Sequence, residues 1–188
     1  GHIADNIHLV SNEIQYRQQN QLFENVGGTF EDATDRAGPA LEIRKASRGL
    51  AAGDVDNDGD VDLLISNMGE RFDLVLNESE TKNNWLTVKL VGAARPVSAQ
   101  GTEKERPGEF PVSNRDAIGA KLRVVASDLV QVQEVRSAYS YLSANDLRVH
   151  FGLGRHAQVD SLEITWPSGW KDRIEGVAAN RLLVVHER

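Results

Sequence analysis

At 188 residues the chain is long enough for one or two domains with a true core, and its formal charge of −7 argues against nucleic acid or an anionic membrane as partner. It has no cysteine, which excludes disulfides, thiol catalysis and cysteine-ligated zinc. No apolar run reaches the roughly 18–20 residues that cross a bilayer, and the start at Gly1, without Met or a signal peptide, reads as a processed or excised fragment.

Residues 1–20 are polar, with Ile3, Ile7, Leu9 and Val10 as scattered apolar points, and predict an irregular lead-in. Residues 21–25 read as a short strand, and Gly27-Gly28 turns it into a return strand. Residues 31–40 read as loop. Strands at 47–52 and 62–67 flank an acidic loop, and 72–76 reads as another. About four short strands between 21 and 77 fit one four-stranded propeller blade. Blades bury their faces against neighbours, and the chain has no second Asp-x-Asp-x-Asp-Gly. The expectation is a partial blade that packs on the C-terminal domain or pairs with another copy.

The acidic loop is the chemical centre of the sequence. Asp54, Asp56, Asp58, Asp60 and Asp62 alternate with other residues, and Gly59 holds the sixth position from Asp54. So many like charges in nine residues need a bound cation or full hydration, and the spacing favours the cation. A hard dication takes six to eight oxygens at about 2.3–2.6 Å, which a tight loop supplies by pointing alternate carboxylates inward. Asp54, Asp56 and Asp58 are expected as side-chain ligands, Asp60 through its carbonyl with its side chain outward, and Asp62 to close the sphere. Calcium suits this donor set better than magnesium, which keeps more of its water. An EF-hand would need a glutamate at position 12, where Ile65 stands, and helices rather than strands on both sides.

After Asn83-Asn84, residues 85–91 alternate Trp85, Thr87 and Lys89 against Leu86, Val88 and Leu90. Residues 92–116 read as a long loop with three prolines and a charged patch at 103–106. Strands are predicted at 120–126, 130–136, 147–151, 161–166 and 181–186. In the first of these, Leu122, Val124 and Ala126 share one face, and Val125 breaks the charged face. The predicted fold class is all-β: a partial propeller blade with about four short strands, plus a C-terminal antiparallel sandwich or barrel of six to seven strands. The domain boundary is placed between 1–82 and 83–188.

No histidine falls at metal-ligand spacing with another histidine or a carboxylate, and no Gly-x-Ser-x-Gly elbow is present. His150 reads as a sheet residue. Trp166 reads as a core plug, whereas Tyr139, Tyr141 and Trp170 divide between packing and a surface platform for a sugar ring. Gly152-x-Gly154 is a turn without the context of a dinucleotide site.

Residues 47–63, from Ser47-Arg48-Gly49-Leu50 through the five aspartates to Leu63, resemble an FG-GAP or VCBS-type repeat. Asn84-Trp85-Leu86, residues 114–120 (Asn-Arg-Asp-Ala-Ile-Gly-Ala), Glu134-Val135-Arg136-Ser137, Tyr141-Leu142-Ser143, His150-Phe151-Gly152-Leu153-Gly154 and Trp166-Pro167-Ser168-Gly169 resemble the ASPIC/UnbV domain. The pair occurs together in bacterial secreted proteins and in the cartilage acidic protein family. The resemblance covers roughly residues 21–188. It implies an integrin-like propeller blade that binds Ca²⁺ through Asp54, Asp56, Asp58, Asp60 and Asp62, an exported protein, and no transferable catalytic activity. Family members carry several blades upstream, and the 92–116 loop is longer than the expected link.

The resulting expectation is a calcium-binding, non-catalytic β module for adhesion, protein interaction or assembly. The alternatives are a carbohydrate-binding module and an accessory enzyme of a biosynthetic pathway. Expected partners are a protein or glycan, upstream propeller blades of the same protein, and a second copy.

Overall fold

The computed structural model describes residues 1–79, 81–93 and 112–188. Most of the loop predicted at 92–116 therefore lies outside the described residues. The chain forms two compact units. The first comprises Gly1–Ala52, Val61–Asn77 and Tyr139–Ala144; the second comprises Gly53–Asp60, Glu78–Ala138 and Asn145–Arg188.

The first unit contains short strands: β1 (Gln18–Gln19), β2 (Phe23–Val26), β3 (Thr29–Asp32), β4 (Arg44–Lys45), β5 (Ser47–Gly53), β6 (Asp62–Asn67) and β7 (Asp73–Val75). They make three small sheets: β1–β4, the hairpin β2–β3 and the meander β5–β6–β7. Where about four strands are predicted between 21 and 77, the hairpin and the meander together supply five. In the hairpin, the Asn25 side chain accepts from the Gly28 amide at 2.9 Å, which closes the turn locally. Every residue of β2 and β3 is exposed, because nothing within the unit covers either face. The buried apolar side chains are few and mostly small: Ala33, Leu41, Ala46 and Ile65. The lead-in is irregular apart from a short 3₁₀ turn at Ile7–Leu9 and β1 at its end.

The second unit contains β8 (Asn84–Val91), β9 (Lys121–Ala126), β10 (Leu129–Glu134), β11 (Val149–Gly154), β12 (Gln158–Thr165), β13 (Lys171–Ala178) and β14 (Arg181–His186). A four-stranded sheet runs β10–β9–β12–β13 and a three-stranded sheet runs β11–β8–β14. Neither closes into a barrel, so the architecture is the open, two-sheet alternative. The core is filled from both sheets. Leu86, Val88, Leu90, Phe151 and Leu153 come from one, and Leu122, Val124, Leu162 and Ile164 from the other. This is the inward half of the alternation predicted for residues 85–91 and 120–126. Trp166 is 2% exposed, the core position expected for it, and its indole N–H donates to Asp172 at 2.8 Å.

Two features depart from the sequence reading. β13 was not anticipated, and β14 pairs with β8 in parallel register, Arg181 opposite Leu86 through His186 opposite Val91. The pairings of β1 with β4, β2 with β3, β6 with β7, β8 with β11, β9 with β10, β9 with β12 and β12 with β13 are antiparallel.

Candidate metal centre

The segment Gly53–Asp60 belongs to the second unit, although its neighbours in sequence lie in the first. Within it the backbone amides organise the carboxylates. Gly59 N–H donates to Asp54 at 3.2 Å, Asp58 N–H to Asp56 at 3.3 Å, and Asp60 N–H to Asp58 at 2.8 Å. Such side-chain-to-amide bonds stabilise tight turns of Asp-rich chain.

The carboxylates of Asp54, Asp56 and Asp58 each place an oxygen within 4.8 Å of the others. Oxygens on one calcium sphere are at most about 5 Å apart, twice the usual metal–oxygen distance. The trio therefore fits a single ion. Asp56 and Asp58 are exposed, but Asp54 is 5% exposed. Its Oδ1 is buried without a hydrogen-bond partner, while Oδ2 takes the Gly59 amide. A buried carboxylate oxygen without a donor costs several kcal/mol unless a cation meets it. The donor set is all oxygen, the chemistry that calcium prefers.

Asp60 and Asp62 are placed differently. The Asp60 carboxylate accepts from Ser79 Oγ at 3.0 Å and does not join the trio. Asp62 belongs to the first unit, where it is 2% exposed and accepts the Asn77 amide at 2.8 Å.

Sequence reasoning singled out Gly59 but missed Trp85 and Arg148, the residues that hold the loop. Gly59 is buried with φ +100°, and a Cβ there would lie 1.9 Å from Trp85 Nε1. Only glycine allows the loop to rest on the indole. Trp85 in turn stacks on His150, with centroids 6.2 Å apart and an interplanar angle of 21°. His150 Nδ1 lies 3.2 Å from Thr87 Oγ1. Burial pushes the His150 imidazole below its ordinary pKa, and the charges of Asp54 and Asp60 partly oppose this. Arg148 donates to the Asp54 carbonyl at 2.5 Å and to Asn57 Oδ1 at 2.6 Å, and its Nε pairs with Asp146. Neither residue type carries a local signal for this role, since both lie far along the chain from the loop.

Tyr139 and Tyr141 are exposed in the first unit and Trp170 is exposed in the second. In the second unit a hollow of about 390 Å³ is lined by Ile118, Gly119 and residues 134–138. Its charged pair, Glu134 and Arg136, is joined at 3.1 Å. No helix among the described residues is long and apolar enough to cross a membrane.

Residues 9–65 match the FG-GAP-like repeat family, and residues 110–188 match the family described as ASPIC and UnbV. Similar curated proteins include cartilage acidic protein 1 of Mus musculus, 28% identical over 167 residues, which is 84% of this chain and 23% of that protein. The Xenopus tropicalis protein of the same name is 30% identical over 139 residues, covering 70% of this chain and 18% of the relative. The Homo sapiens protein is 27% identical over 172 residues, 87% of this chain and 23% of the relative. The chain thus spans less than a quarter of the length of these relatives. The chain is similar to an FG-GAP-like repeat in its N-terminal part and to the ASPIC and UnbV family in its C-terminal part.

Proposed function

We propose that the chain is a calcium-stabilised, non-catalytic β module of an exported protein, serving adhesion, protein interaction or assembly. The buried, unpartnered Oδ1 of Asp54, beside the carboxylates of Asp56 and Asp58, carries this reading. Calcium would supply charge neutralisation and a fixed loop geometry. Asp54, Asp56 and Asp58 are the proposed side-chain ligands, and the sequence register adds the Asp60 carbonyl and Asp62. The similarity to cartilage acidic protein 1 and the FG-GAP-like repeat support export and a binding role. The exposed apolar side chains of the first unit, among them Phe23, Phe30, Phe72 and Leu74, suit contact with further blades of the same protein or with a second copy.

Isothermal titration of the native chain with calcium, followed by melting with and without chelator, tests the reading. It expects saturable binding and a lower melting temperature under chelator, and loss of both effects in Asp56→Ala. A native chain that takes up no calcium, with melting indifferent to chelator, overturns it.

A further inference from the structure

The loop's flanking strands belong to the blade-like unit, yet every anchor described for residues 53–60 lies in the other unit. At its start, a Cβ on Gly53 would come within 2.9 Å of Asp146 Cβ, so the backbone presses on that side chain. The Asp54 carbonyl and the Asn57 side chain both accept from the Arg148 guanidinium. Gly59 rests on Trp85, and Asp60 is held by Ser79. Asn57, at φ +64°, sits in a left-handed conformation that its bond to Arg148 helps to hold.

We infer that Arg148 and Trp85 are positioning residues of the metal loop: they fix its backbone from outside, so that the loop is a structural part of the second unit and calcium stabilises that unit. This rests on the calcium reading above. Arg148 directs its donors at a carbonyl and an amide oxygen, which leaves the carboxylates of Asp54, Asp56 and Asp58 to the ion. Its own charge is paired with Asp146. A planar fork with fixed donors suits this two-acceptor clamp, which a lysine could not reproduce. Partners outside the ligand shell that orient metal ligands commonly change affinity about 10–100-fold when removed.

The experiment sets geometry against charge. Arg148→Gln removes a cation beside the site and leaves Asp146 without its ion-pair partner. Electrostatics alone therefore predicts tighter calcium binding, whereas positioning predicts weaker binding. We expect the calcium dissociation constant of Arg148→Gln, measured by titration calorimetry, to rise by about tenfold or more. Circular dichroism in calcium-free buffer checks that the variant folds. Asn57→Gly, which keeps the left-handed backbone and removes one acceptor from an exposed position, should weaken binding to a lesser degree and decides the matter if Arg148→Gln does not fold. In a third arm, terbium replaces calcium. Emission sensitised through the indole should be bright in the native chain and largely lost in Trp85→Phe, and the calcium affinity of that variant should be weaker than that of the native chain. Native calcium binding with unchanged or tightened affinity in both loop-anchor variants overturns the inference and leaves the metal reading standing. No binding by the native chain overturns the metal reading itself.

Discussion

Both units are built from strands, mostly short in the first and six to eight residues long in the second, and only the second builds an extensive core. In the second unit two sheets face each other, so Leu86, Val88, Phe151, Leu122, Val124 and Leu162 are fully buried. In the first unit the sheets are small, and Phe23, Val26, Phe30 and Leu74 are all substantially exposed. The difference teaches that alternation marks which side chains share a face, while burial requires a second layer to meet that face. It also explains why the acidic loop is anchored where it is. The core-backed sheet offers Trp85 in β8, and Arg148 just ahead of β11, as fixed points, whereas the β5–β6–β7 meander has little core behind it.

If the second unit owes its stability to this core, Phe151→Ala should cost about 3–5 kcal/mol in urea unfolding followed by a probe in that unit. Gly59→Ala should come next, at about 2–4 kcal/mol, because it adds left-handed strain and drives a Cβ into the Trp85 ring. A loss below 1 kcal/mol would show that the loop lifts off the sheet without penalty. Calcium at about 100 times its dissociation constant should add about 2.7 kcal/mol to the native chain and nothing to Asp56→Ala, read from paired denaturant curves.

A smaller, pH-dependent effect should come from Glu187. Burial opposes its ionisation, but hydrogen bonds from Ser168, the Ala93 amide and Ser113 outweigh that and hold the carboxyl below its ordinary value. The folded pKa is depressed, so the stabilisation is present above the unfolded value of 4.5 and is lost as pH falls through the folded pKa. Stability measured from pH 6 to pH 3 should fall less steeply in Glu187→Gln than in the native chain. Smallest of all, Phe30→Ser should stay within about 0.5 kcal/mol, since Phe30 is 69% exposed. A larger loss would mean that the hairpin is covered in solution, and sedimentation would then report a larger species.

What the sequence disclosed follows from how local each signal is. The inward faces of β8 and β9 were legible because apolar and polar residues alternate within six to eight positions. The trio Asp54, Asp56 and Asp58 was legible because its members share one loop. β13 escaped because it is an edge strand with charges at Lys171, Asp172, Arg173 and Glu175 and a glycine inside it. The parallel pairing of β14 with β8 escaped because register between strands about ninety residues apart leaves no local trace. Arg148 and Trp85 escaped for the same reason: an arginine in a turn and a tryptophan in a strand look ordinary until the loop folds onto them.

Hydrogen exchange with and without calcium, resolved by peptide, tests most directly whether the loop is built for a dication and belongs to the C-terminal unit. Calcium should slow exchange in residues 53–60 and in β8 and β11, with β2 and β3 unchanged. Slowing confined to the first unit, or no change anywhere at saturating calcium, would contradict it.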